Sequence, residues 1–144
     1  IELGCGSGLG ACAAAISGFD VLATDYYDDA LLFTELNARA NAGRAIRTRH
    51  VDWSAIPADM GTFDVVLAAD VMYEPRYPAM VASAIDRLLA PGGFALIADP
   101  GRIAFPDFIE ECGRRGLRGR HEDVREFRSG EVRQTITIHE IARV

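Results

Sequence analysis

The sequence predicts an α/β fold: a doubly wound, mostly parallel sheet with helices on both faces and an antiparallel hairpin at its C-terminal end. Three observations predict it. Apolar runs of strand length alternate with helix-period segments along all 144 residues, the pattern of a covered parallel sheet. The first apolar run passes directly into the turn Gly4-Cys5-Gly6-Ser7-Gly8, with an alanine-rich segment behind it. Beyond Leu117 two extended runs are joined at Ser129 and Gly130, and these read as a hairpin.

The chain opens at Ile1 within the first strand, so the domain is expected to be N-terminally truncated, and Glu2 closes that strand. Leu9 to Ser17, apolar and rich in alanine, forms the first helix, and Gly18 stops it. Phe19 to Thr24 is a buried strand ending at Asp25. Asp28 to Asn41 is a helix with Leu31, Leu32, Glu35, Leu36, Arg39 and Ala40 at helical spacing, closed by Gly43. Arg47 to Val51 is the third strand and leads to Asp52 and Trp53. After a loop through Pro57 and Gly61, the apolar run Phe63 to Ala69 reads as a central strand with both faces buried, ending at Asp70. Pro78 to Ala90 is a helix with an inward stripe of Met80, Val81, Ala84, Ile85, Leu88 and Leu89, and Pro91-Gly92-Gly93 stops it. Phe94 to Ala98 is the fifth strand, Phe105 to Arg115 the last helix, and Leu117 to Phe127 and Val132 to Val144 complete a seven-stranded sheet.

Length, 49% hydrophobic residues and 25% charged residues fit one domain with a continuous core. The net charge of -6 disfavours a nucleic-acid partner, whose binding draws on clustered basic side chains. All fifteen basic residues are arginine, which reads as a compositional bias of the source. Cys5, Cys12 and Cys112 are odd in number and lack C-x-x-C spacing, so they read as small buried thiols of a reducing, cytoplasmic compartment. His50, His121 and His139 show no metal-ligand spacing, and no metal is expected. No apolar run approaches the roughly 20 residues that cross a bilayer, and no membrane partner is expected.

The chemistry gathers at the strand ends. Glu2, Asp25, Asp52 and Asp70 end four strands and Asp99 follows the fifth; in an open parallel sheet those ends form the ligand crevice. Each acid alone reads equally well as a cap on its turn. Five together ask for a ligand with hydroxyls, amines or positive charge and repel phosphate. A dinucleotide turn would need G-x-G-x-x-G so that a helix N-terminus meets a pyrophosphate. Here Leu9 stands where its third glycine should be, and the spacing is G-x-G-x-G.

Glu2 to Gly8, Asp25, the Asp52-Trp53 pair and Asp70 together resemble the class I, Rossmann-like methyltransferases that use S-adenosylmethionine, over essentially the whole chain. The resemblance implies S-adenosyl-L-methionine as cofactor, with Gly4, Gly6 and Gly8 against its methionine and ribose portions and Glu2 at the same turn. It puts Asp25 on the ribose hydroxyls and Asp52 and Trp53 at the adenine, with Ala69 also among the cofactor-binding residues. The ligand's chemistry agrees: it has no phosphate, two hydroxyls for a carboxylate, a cationic end, and a flat base for an indole to cover. Trp53 also reads as core filler.

Asp70-Val71-Met72-Tyr73, preceded by Ala68 and Ala69, resembles the D/E-x-x-Y/F signature of the family 16 protein lysine methyltransferases. Asp99-Pro100-Gly101-Arg102 looks like the subgroup that includes the electron-transfer-flavoprotein β-subunit lysine methyltransferase and its bacterial relatives. The resemblance implies N-methylation of a protein lysine, with Asp70 and Tyr73 as catalytic residues lining the amine channel. The turn-cap reading of Asp70 and the packed-aromatic reading of Tyr73 stand beside it. A small-molecule amine acceptor, nicotinamide-like or other, is the second enzymatic reading, and a catalytically silent cofactor-binding module the third. Base N-methyltransferases would show D/N-P-P-Y/F, which Val71 and Met72 break. Arg102, Arg114, Arg115, Arg118 and Arg120 form a basic stretch that reads as a solvated face.

Overall fold

The computed structural model describes residues 1–144. Its elements follow in the order β1 (Glu2–Leu3), α1 (Leu9–Ile16), β2 (Leu22–Asp25), α2 (Asp28–Asn37), β3 (Arg47–His50), β4 (Phe63–Ala69), α3 (Tyr77–Leu88), β5 (Leu89–Asp99), α4 (Phe105–Arg114), β6 (Leu117–Ser129) and β7 (Val132–Arg143). A π-helical turn, Ala38–Ala42, extends α2, and a 3-10 turn, Ala58–Met60, precedes β4. The strands form one seven-stranded sheet in the order β3-β2-β1-β4-β5-β7-β6. β1 pairs in parallel with β2 and β4, and β2 with β3. β5 with β7 and β7 with β6 are antiparallel, which is the expected closing hairpin. The result is a Rossmann-like α/β architecture.

The backbone clusters into two compact units, Ile1–Met60 with Leu67–Ala69, and Gly61–Val66 with Asp70–Val144. In the first, the core is built mostly of small side chains: Cys5, Ala11, Cys12, Ala15, Ala23 and Ala38, with Val21, Leu31 and Ile46 filling the remaining volume. Alanine along α1 therefore does two things. It favours the helix, and it lets that helix lie close to its neighbours. In the second unit, Val81, Ile85 and Leu88 of α3, Ile97 of β5, Phe108 of α4, Leu117 and Ile141 are buried almost completely.

Four expectations change. The second strand begins at Leu22, because Phe19 is half exposed ahead of it. On α2 the buried residues are Leu31 and Thr34, followed by Ala38, whereas Leu32 and Leu36 are exposed. A stripe at i, i+3 and i+7 is narrower than the apolar content of the segment suggests. β5 starts at Leu89, directly after α3, so Leu89 is buried as a strand residue and Pro91-Gly92-Gly93 lies within the strand. On β4 only Val66 and Ala68 are buried; Phe63, Val65 and Leu67 are half-buried and Asp64 and Ala69 exposed. β4 is still the fourth of the seven strands. Its alternation shows one face fully covered and the other only partly, a distinction that a uniformly apolar run does not encode.

Phe108 gives a direct test of the second unit's core. It is completely buried on α4 with the Phe105 ring 5.5 Å away. Phe108→Ala is expected to cost about 3–5 kcal/mol in urea unfolding; a loss below about 1 kcal/mol would show that α4 is not anchored there.

Candidate functional site

Between β1 and α1 the backbone takes positive φ at Gly4 (69°), Gly6 (54°) and Gly8 (85°). A side chain at these angles would strain the chain, so alternating glycines are what this turn requires. The turn is held from two sides. Asp25, buried at the end of β2, accepts the Gly6 N–H on Oδ2 at 2.9 Å and the Tyr27 N–H on Oδ1 at 3.0 Å. Thr34 of α2, fully buried, lies with its hydroxyl 3.2 Å from both the Gly6 carbonyl and Cys5 Sγ, and Asn37 Nδ2 donates to the Ser7 carbonyl at 2.8 Å. Gly8 packs on the same threonine: an added Cβ would lie 2.8 Å from Thr34 Cα. Gly6 differs. It is exposed, and a Cβ there would meet nothing within 4 Å.

Glu2 is 3% exposed, with Oε1 against Gly10, where a Cβ would lie within 3.0 Å of its Cδ. The Ala11 N–H in the first turn of α1 bonds to this carboxyl, while Oε2 is buried without a hydrogen-bond partner. Loss of hydration outweighs the Ala11 bond and pushes the carboxyl up to about 7.

Past the other strands the acids close turns. Asp52 Oδ1 accepts the Ser54 N–H at 2.8 Å and its hydroxyl at 2.7 Å, beside the half-buried Trp53. In the second unit Asp99, 4% exposed, accepts the N–H groups of Gly101 and Arg102 on Oδ2 at 2.7 and 2.9 Å. These are Asx turns. The turn at Asp99 delivers Arg102 to Asp70: Nε and Nη2 contact the two carboxylate oxygens at 2.6 and 2.8 Å. Asp70 is the one non-glycine residue with positive φ, 53°, and its N–H donates to the Ala98 carbonyl at 2.8 Å. Val71 and Met72 are buried while Asp70 and Tyr73 are exposed, and Tyr73 meets the Tyr77 ring edge-on at 5.0 Å.

Residues 1–97 match the family described as Methyltransferase domain. The chain belongs to this methyltransferase family. It is 32% identical over 104 residues to a ubiquinone biosynthesis O-methyltransferase of Psychrobacter arcticus, covering 71% of this chain and 40% of that protein. Over 86 residues it is 34% identical to a protein N-lysine methyltransferase of Xenopus tropicalis, covering 56% and 40%. The chain thus spans about 40% of the length of these curated relatives. The fold is that of a SAM-dependent methyltransferase of Methanosarcina mazei, with a TM-score of 0.80 at 12% identity over 99% of this chain and 91% of the other.

S-adenosyl-L-methionine is the cofactor that goes with this methyltransferase fold, and the glycine turn fits it. The Gly6 face is open to a ligand. The Asp25 oxygens, fixed by two amides, each keep a lone pair for a hydroxyl. No lysine or arginine occurs between Ile1 and Ala38, so this methyltransferase turn offers a phosphate no basic partner. Within the first unit the structure brings Glu2, Gly4, Gly6, Gly8 and Asp25 to one turn, with Asp52 and Trp53 after β3 and Ala69 exposed at the end of β4.

Thr34, Asn37 and Gly10 escape sequence reasoning. The available signal was Thr34, the one hydroxyl residue on α2, three positions after the buried Leu31.

Gly8→Ala combines an unfavourable φ with a contact on Thr34 backbone, and is expected to destabilise by about 2 kcal/mol or more in denaturant unfolding. Gly6→Ala carries the φ cost alone, because its space is open, and should lose less than Gly8→Ala in the same measurement. Glu2 sets a pH dependence. Its folded-state value of about 7 lies above the ordinary 4.5, so the native state holds the extra proton. The contribution is full below pH 4.5 and is lost as pH rises through 7. Thermal unfolding should therefore show wild-type stability falling over that window by up to about 3 kcal/mol, and Glu2→Gln should flatten the profile. A wild-type profile rising with pH there, unaffected by Glu2→Gln, would refute it.

Proposed function

We propose that this chain supplies the cofactor-binding and acceptor-facing parts of a methyltransferase that methylates a small-molecule oxygen or nitrogen nucleophile. The observation that carries the reading is the state of Asp70. A carboxylate held at φ 53° and gripped on both oxygens by Arg102 is a fixed, charge-compensated hydrogen-bond acceptor rather than a bare anion waiting for a lysine ammonium. The ubiquinone biosynthesis relatives point the same way. Bound cofactor supplies an activated methyl group for in-line displacement from sulfur. The protein's share is alignment: Gly4, Gly6, Gly8 and Asp25 hold the cofactor's methionine and ribose ends, Asp52, Trp53 and Ala69 its base. Asp70 and Tyr73 orient the acceptor atom, whose proton passes to Asp70 or to water as the new bond forms.

Protein lysine is the second reading, favoured by Asp70-Val71-Met72-Tyr73 and by the Xenopus relative. Incubating the full-length protein with methyl-labelled S-adenosylmethionine and with separate metabolite and protein fractions of a cell extract distinguishes the two. Label in small molecules supports the first reading, and label confined to protein replaces it with the second. No helix is long and apolar enough to cross a membrane.

Asp70→Ala is expected to lower kcat by about a hundredfold or more while cofactor Kd stays within about twofold. Asp25→Ala should weaken cofactor binding by about tenfold to a hundredfold. The opposite assignment of the two effects, read by calorimetry and initial rates, would overturn these roles.

A further inference from the structure

Arg102 grips Asp70, and its placement is built rather than incidental. Asp99 is buried and spends one oxygen on the N–H groups of Gly101 and Arg102. That turn needs positive φ at Gly101, 89°, and it aims the guanidinium at Asp70. The grip is two-point, Nε to Oδ1 and Nη2 to Oδ2, the geometry in which arginine recognises a carboxylate most selectively. Yet the pair is 43% and 50% exposed, and exposed pairs are weak enough to be exchanged for another cation.

We propose that Arg102 is a specificity-determining residue: it is an internal cation that occupies Asp70, so that a neutral acceptor enters with the pair intact whereas an ammonium acceptor has to evict Arg102. This deepens the reading of Asp70 as acceptor-facing and rests on it. An arginine cannot lose its charge at any physiological pH, so Arg102 competes for Asp70 for as long as the acceptor remains an ammonium. Ammonium acceptors are disfavoured by a fixed competitor, and hydroxyl acceptors are not.

The probe is n-butylammonium chloride, titrated at low ionic strength into the full-length protein and followed by amide and arginine Nε–H resonances, with and without S-adenosylhomocysteine. Arg102→Gln should tighten n-butylammonium about fivefold. In the wild type, the Arg102 Nε–H signal should move in step with binding. Asp70→Asn should remove the response, and Arg102→Gln should then add nothing on that background. Equal tightening with and without Asp70 would mean a general change of field and would overturn the proposal, as would no tightening or no binding in any variant. Calorimetry with S-adenosylhomocysteine on the same samples separates the two levels. Absence of its binding would sink the methyltransferase reading, while the comparison of variants made without it still decides the role of Arg102.

Discussion

The Asp25 carboxylate is the joint on which the first unit turns. Its two oxygens bind amides on two different connections, Gly6 in the turn after β1 and Tyr27 at the entry to α2. One buried group therefore sets both the shape of the glycine turn and the point at which α2 starts. α2 then returns the support: Thr34 and Asn37, one helical turn apart, hold the carbonyls of Gly6 and Ser7. The loop of dependence is closed, and it explains why Gly8 tolerates no side chain even though no ligand is needed to exclude one. A turn with three positive-φ residues has little stiffness of its own. Its rigidity is borrowed from a strand end and a helix face.

The second unit repeats the device with a different product. Asp99 ends β5 as Asp25 ends β2, and it too is buried with its carboxylate on backbone amides. Here the ordered segment is short, and what it fixes is one side chain, Arg102, against Asp70. Asp99 Oδ1 is left buried without a partner, a situation that typically costs about 1–3 kcal/mol. Asp70 adds its own mild strain at φ 53°, so that both members of the pair are held where free chain would not place them.

Much of the fold was legible in the sequence because strand and helix periods, glycine stops and the Ser129-Gly130 turn are local signals. The mostly parallel sheet and the closing hairpin followed from them. What failed was orientation. Leu32 and Leu36 are as apolar as Leu31, yet they are exposed and the inward position belongs to Thr34, whose hydroxyl is satisfied by the turn it supports. At the site, the glycines and strand-end acids were visible as residue types at telling positions. Their partners were not, since Arg102 lies 32 positions from Asp70 and Thr34 lies 28 from Gly6. Contacts at that separation are decided by topology, and a basic residue in a basic stretch gives no hint that it will be folded back onto one particular carboxylate.

The partners also change the electrostatics that the acids seemed to announce. Five carboxyls at strand ends suggested a strongly negative crevice that draws in cations. Glu2, lifted to about 7 by burial, is only partly ionised near neutrality. Asp25, Asp52 and Asp99 accept hydrogen bonds from backbone amides and one hydroxyl, and Asp70 is paired with a guanidinium. The charge that the hydrogen-bonded carboxylates keep is screened within about 10 Å at ordinary salt. In each unit the carboxylates are held in place, with their directions set by the amides they bind.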